Sequence, residues 1–426
     1  MKITKEMTAE IRTKKNIVLL IIVASLGYFV DIYDLILFNI IKKESLEALK
    51  IDFTTYETVL FRWQMAGMLC GGVLWGIWGD KRGRVSVLFG SILIYSVANI
   101  ANAFVETLWA YKMWRFIAGL GLAGELGAAI TLVAELMPIK KRGIGTMIIV
   151  TFGALGAVVA FIVSNQGDAI GQFISNIVGK PIANWQVAYM VGGSLGLLLL
   201  ALRASTFESS MFENLSKSDV QRGKFFSLFK NKNTLKKYIA CIVIGLPVWF
   251  VVGVLIALSH RFLPAEVAKV VPSKEMVLWS YVGLSLGDLM SGLLSQLFKS
   301  RKKVILFNLI GIFIISGIYL FGPAGSASYY RVLAVILGVV TGYWALFVTN
   351  ASEQFGTNIR STVSATVPNF VRGGVILITG GFEFFMSTFH SANISAVIVG
   401  LICVSLAIWG TLHVEESFHK DLNYYE

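Results

Sequence analysis

The residues with chemistry to offer are charges placed where charges are costly. Asp31 and Asp34 sit three residues apart inside an apolar run that extends from about residue 16 to residue 41. Positions i and i+3 share a helix face, so the two carboxylates look the same way. A charge at the centre of a bilayer costs at least about 2.5–3.5 kcal/mol, so both must face protein or water rather than lipid. Arg115 and Glu125 fall in the fourth apolar run, Asp288 in the eighth and Arg372 in the eleventh, with Arg62 and Glu383 nearer run ends. A rise of roughly 1.5 Å per residue sets Asp31 and Asp34 roughly 22–27 Å along their run, and Arg115 roughly 12 Å along its own. A carboxylate beside a guanidinium stays ionised, whereas one parted from it in a dry site takes a proton. A conformational change that joins and parts such a pair therefore moves protons, and two carboxylates one turn apart titrate as a coupled pair. The competing role is a static ion pair that only fixes helix packing. Arg372 follows Pro368-Asn369-Phe370-Val371. Irregular backbone at mid-depth lines cavities, and a planar guanidinium there suits a carboxylate, phosphate or sulfate. Arg372 is the leading anion ligand, with an internal partner in Asp288 or Glu383 as its other role.

Twelve apolar runs must position these residues. They lie near 16–41, 56–78, 85–105, 107–137, 143–165 and 185–203, then 238–262, 276–298, 303–322, 328–351, 362–389 and 391–414. Each is long enough to cross a bilayer as a helix. The composition agrees, with 56% hydrophobic and only 15% charged residues, which excludes a soluble domain. The net charge of +12 is gathered in clusters between the runs, not along one face, so it points to membrane topology and not to nucleic acid. Those clusters are the N-terminal tail, Lys81/Arg82/Arg84, Lys140/Lys141/Arg142, the 204–237 stretch, Lys299/Arg301/Lys302/Lys303 and Arg360. They fall on alternate loops, which places both termini in the cytoplasm. The 42–55 loop, with Lys42, Lys43 and Lys50, is the exception. The basic tail leads into a run too long for a cleavable signal, so the first run is expected to stay as a span. Residues 1–203 and 238–426 read as two six-helix bundles joined by a polar linker, 204–237, in which Phe225, Phe226, Leu228 and Phe229 form one short amphipathic helix lying on the membrane surface. Cys70, Cys241 and Cys403 are far apart, and the four His have no ligand spacing, so no disulfide, metal or cofactor is expected. No nucleophile, base and orienting group occur together, so no enzyme is expected.

The loops carry a family signature. Gly76-x-x-x-Asp80-x-Arg82-Gly83-Arg84 stands between the second and third runs. The fourth run reads Arg115-x-x-x-Gly119-x-Gly121, then Ala134-Glu135-Leu136-Met137-Pro138 and Lys141-Arg142-Gly143. Glu208-Ser209-Ser210 follows the sixth run, and Glu353 to Arg360 follows the tenth as a second-half copy. This pattern resembles the major facilitator superfamily, and within it the sugar-porter and organic-acid/proton symporter branches. The resemblance implies an all-α membrane protein of twelve transmembrane helices in two six-helix bundles. It also implies a gating network of Asp80, Arg82, Arg84, Glu135, Arg142, Glu208, Glu353 and Arg360 that holds one end closed. The resembled symporters pair an Asp of the first helix with an Arg of the fourth. Tyr33-Asp34 matches the former and Arg115 the latter, which favours Asp34 while leaving Asp31 open. Glu125 is a second proton site, a substrate contact or a carboxylate hydrogen-bonded to a neighbouring helix. The expected substrate site is Arg372 with Asp288, Asn369, Gln64, Trp344, Tyr343 and Trp249. The function expected is proton-coupled symport of a small organic anion by a monomer in a bacterial inner membrane. A sugar or polyol symporter, a proton-driven exporter and a solute-sensing receptor are the alternatives.

Overall fold

The computed structural model describes residues 2–56, 58–137, 142–179, 181–202, 223, 225–418, 420 and 424, without the side chains of 2–17, 20, 54, 168 and 178. Most of the expected linker, with Glu208, and the Lys140/Lys141 cluster therefore lie outside the described residues. Twelve long helices follow one another: α1 (Lys2–Ala48), α2 (Val59–Arg82), α3 (Arg84–Asn102), α4 (Leu108–Leu136), α5 (Arg142–Gln166) and α6 (Asn184–Leu202). Then come α7 (Lys232–Ile256), α8 (Ser273–Leu297), α9 (Arg301–Phe321), α10 (Ala327–Glu353), α11 (Arg360–Phe389) and α12 (Ala392–His413). Eleven are long and apolar enough to cross a membrane. The remaining one, α2, has 24 residues, but its glycines, Arg62, Gln64 and terminal Asp-Lys-Arg dilute its hydropathy.

Serine, threonine and asparagine set many helix starts. Thr107, Asn231, Ser300, Ser326 and Ser391 each accept a hydrogen bond from a backbone N–H of the first turn. The same close packing recurs in both halves. Gly67 and Gly71 of α2 lie against the backbone of α4 at Phe116 and Leu120, and Gly283 and Gly287 of α8 lie against α10 at Val335 and Val339. A methyl group at any of the four would strike a carbonyl oxygen, which is why small residues spaced by four occupy these crossings. The halves meet where α2 packs on α11 and α5 on α8. Large apolar side chains on the outer faces, such as Leu93, Phe307 and Leu377, are exposed, as a lipid-facing surface requires.

Several expectations need adjustment. The first run continues as helix to Ala48, so Lys42 and Lys43 sit on a helical end and not in a loop. A short helix at Asp168–Val178, with Phe173 and Ile177 exposed, fills a stretch read as loop. Phe225–Phe229 is a single 3-10 turn that buries Phe225 against Tyr238 and Phe370, more wedge than surface float. Finally, α7 and α10 are irregular. The α7 helix is interrupted at Gly245 ahead of Pro247 and loosens into a π-helical stretch at Val251–Ile256. The α10 helix breaks between Thr341 and Trp344.

Candidate functional site

The α1 and α11 helices bring Asp31 and Arg372 together at the interface of the halves. Arg372 Nη2 is 3.3 Å from Asp31 Oδ2, and both side chains are buried. The same nitrogen is 3.5 Å from the Tyr28 hydroxyl, one helical turn before Asp31. Arg372 Nη1 donates to Asn369 Oδ1 at 3.5 Å, and the guanidinium lies 5.8 Å from the centre of the Trp344 ring. Asn369 is held in turn, its amide donating to the carbonyls of Ala123 and Ala365. Arg372 forms one wall of a central cavity whose other walls include Tyr28, Ile32, Leu35, Trp249, Tyr281 and Trp344. The room for water there is about 20 Å³, one or two molecules. The indole nitrogens of Trp249 and Trp344 have no hydrogen-bond partner.

Arg115 stands near Asp34 but makes no ion pair with it among the described residues. Its Nη2 meets Gln64 Oε1, and its guanidinium lies over the Phe38 and Tyr189 rings, at 5.1 and 5.7 Å from their centres. Asn99 and Arg115 are beside Asp34, yet neither carboxylate oxygen reaches a donor at hydrogen-bonding geometry. Glu125 is buried and close enough to Asp31 to act on it electrostatically. The second-half cluster expected around Asp288 and Arg372 does not form. Asp288 Oδ1 instead accepts from the Ala345 N–H at 2.9 Å, capping the second piece of α10, and Glu383 pairs with Arg261 at 2.9 Å. Tyr343 turns away and donates to the Ile244 carbonyl at 2.7 Å. These three are legible only in three dimensions, because their partners lie on other helices.

One end of the molecule is closed by charge. Arg84 Nη2 is 2.8 Å from Glu135 Oε1 and 3.7 Å from Asp80 Oδ1, and Arg360 Nη1 of the other half is 3.4 Å from Glu135. Asp80 crosses between halves as well, accepting from the Ser361 and Thr362 N–H groups and the Thr362 hydroxyl at the start of α11. The second half repeats the motif, with Arg301 at the start of α9 making two 2.8 Å bonds to Glu353 at the end of α10. Arg142 donates to the Lys420 carbonyl at 3.2 Å. Arg82 stays outside, lying on the Trp78 ring at 4.6 Å. At the opposite end a wide vestibule lined by Lys42, Lys43, Glu44, Glu47, His260 and Lys274 holds about 560 Å³. Tyr28 and Tyr281 line the cavity, and Arg301, by sequence only one of a basic cluster, pairs with Glu353. Tyr28 was within reach of the sequence, since it shares a face with Asp31 at i+3.

The model of the Major Facilitator Superfamily matches residues 24–379. This chain belongs to the major facilitator superfamily. The NiaP protein of Bacillus subtilis (strain 168) is 28% identical over 398 residues, covering 91% of this chain and 92% of its own length. The niacin transporter NiaP of Acinetobacter baylyi is 27% identical, covering 78% and 82%. The cis,cis-muconate transport protein of the same organism is 25% identical, covering 92% and 93%. Among solved structures, the proton:xylose symporter XylE aligns over 96% of this chain and 98% of its own, with a TM-score of 0.69 at 16% identity. That likeness establishes the fold. The chain is accordingly an integral membrane transporter of organic solutes, not an enzyme.

Proposed function

We propose that this transporter carries a small planar carboxylate, coupled to protons, by alternating access. The observation that carries the reading is Arg372, a buried guanidinium on the wall of a central cavity otherwise made of aromatic and aliphatic side chains. Once the cavity widens beyond its present room for one or two waters, an aromatic slot with one cation suits a flat acid, with the ring between Trp249, Trp344 and Tyr281 and the carboxylate on Arg372. The two Acinetobacter baylyi relatives are named for niacin and cis,cis-muconate, both planar acids, and the Bacillus subtilis one for niacin or its uncharged amide, nicotinamide. A sugar needs hydrogen bonds around its whole rim, and these walls offer few polar groups.

Asp31 supplies the logic of coupling. It occupies the guanidinium that the substrate carboxylate would take, so an incoming anion competes with it. A displaced Asp31, buried and near Glu125, is relieved of its charge by a proton. Asp34 lies one turn further along α1 with both oxygens unsatisfied, the environment of a group that carries a proton for part of the cycle. Asp34 is the carrier in this reading, and Asp31 is the group that links it to the substrate. The basic end, closed by the Asp80–Arg84–Glu135–Arg360 network, is the cytoplasmic side of the bacterial inner membrane. Individually such pairs contribute little when exposed, but these are buried, so removing one partner is costly.

The test is uptake into proteoliposomes. Nicotinate and cis,cis-muconate should accumulate down an inward proton gradient, and a protonophore should abolish accumulation. Arg372→Ala should lose binding, while Asp34→Asn should keep exchange but lose gradient-driven accumulation. Xylose uptake without carboxylate uptake, or accumulation indifferent to the protonophore, contradicts the proposal.

A further inference from the structure

Between the vestibule and the central cavity lies a further chamber, much smaller than the vestibule. It shares Trp249 and Val252 with the central cavity, and Asn39, Lys42 and Ala257 with the vestibule. It therefore adjoins both. Asn39 is seven residues beyond Ile32 on α1, so the chamber lies roughly 10 Å outward from the cavity wall. Its charged lining is Lys42, Arg62 and Glu383. Glu383 is already engaged by Arg261 at 2.9 Å. Arg62, in the first turn of α2, has no carboxylate within ion-pairing distance among the described residues, and its buried Nε has no hydrogen-bond partner. The start of α2 adds its own partial positive charge to the chamber. A guanidinium without a counter-ion in a confined chamber attracts anions more strongly than one in open water.

We propose that Arg62, with Lys42, forms an outer anion site where a carboxylate substrate pauses before Trp249 yields and admits it to Arg372. The proposal rests on the carboxylate reading above. It assigns to Arg62 a role in capture, and leaves to Arg372 the tight, central binding.

Trp249 borders both chambers, so the part of the intrinsic fluorescence response that Trp249→Phe removes, among the ten tryptophans, reports both occupancies. Stopped-flow mixing of the purified protein with nicotinate, at about 20 and about 200 mM salt, separates the steps. The wild type should show a fast, salt-sensitive phase and a slower one. Arg62→Gln should slow association roughly five- to tenfold and flatten its salt dependence, with the dissociation rate changed much less. Arg62→Lys should restore most of the rate. Arg372→Ala should keep the fast phase and lose the slow one. Equal association rates and salt slopes in wild type and Arg62→Gln overturn the outer site, as does a loss that appears only in the dissociation rate. If wild type shows no response to nicotinate, muconate or benzoate, the carboxylate reading itself fails. A normal slow phase with no fast phase removes the outer site alone. Thermal unfolding of each variant guards against misfolding, and Lys42→Gln, with a smaller loss of the same sign, gives a second route to the same conclusion.

Discussion

Asp31 and Asp34 share a helix face yet live in different surroundings. Asp31 faces the other half and meets Arg372, whereas Asp34 faces α6, where Gly192 closes on its Oδ1. A methyl group at Gly192 would strike that oxygen and come within 2.9 Å of the Tyr33 ring. Gly192→Ala should therefore cost about 1–3 kcal/mol and reduce nicotinate accumulation, measurable as a lower Tm and a lower uptake rate. Asp31→Asn has an opposite pair of effects. It leaves Arg372 buried without its partner, a change worth about 3–5 kcal/mol, so the free protein should melt earlier. The vacant guanidinium should then bind nicotinate more tightly, and the thermal shift on adding nicotinate should exceed that of wild type. A smaller shift would argue against competition between Asp31 and substrate.

At the scale of elements, the broken helices line the cavity. The α10 break lies where Gly342 presses on α8 at Gly287 and Asp288, and the Asp288 carboxylate satisfies an N–H of the restarted helix. Asp288→Ala should lower stability by about 0.5–2 kcal/mol, as for other lost caps, with Asp288→Asn retaining most of it. Were Asp288 a substrate ligand instead, Asp288→Asn would weaken nicotinate binding at unchanged Tm. The end of the chain is clasped in a similar way. Glu416, beyond α12, accepts from the Ser300 hydroxyl at 2.5 Å and from the Arg301 N–H at 3.0 Å at the start of α9. Partial burial pushes its carboxyl up, but these bonds outweigh it and hold the group below the usual carboxylate range. A depressed carboxyl stabilises the fold above its unfolded pKa, and that contribution is lost as pH falls through the folded one. The clasp should thus persist at neutral pH and release only in acid, below the usual carboxylate range, read as protease cleavage after residue 414. Ser300→Ala should move the release to higher pH.

For the whole molecule, the buried charge cluster between the halves is the element to test as a switch. Breaking the buried Arg84–Glu135–Arg360 cluster with Glu135→Gln leaves two guanidinium groups short of a carboxylate, and the population should shift toward opening at that end. Spin labels at exposed Lys81 and Leu297, on opposite halves, should move apart in Glu135→Gln and stay close in wild type. Unchanged distances would reduce the cluster to a packing element.

The sequence alone determined the twelve runs, the depth of Asp31, Asp34, Arg115 and Arg372, and the loop signature of the family. Lipid imposes its cost residue by residue, so span positions and buried charges are written locally. Asp80, Arg84, Glu135 and Arg360 were legible as charges at helix ends on one side, and the structure joins them across the halves. What only the tertiary structure decided was the pairing. Arg372 meets Asp31 and not Asp288, Arg115 meets Gln64 and not Asp34, and Asp288 caps a helix. Depth along a helix follows from counting residues, but the partner depends on how each helix is rotated and crossed against its neighbours. Those angles are set by close contacts such as Gly72 and Gly76 of α2 against Asn369 and Thr362 of α11, between segments hundreds of residues apart, which no local pattern encodes.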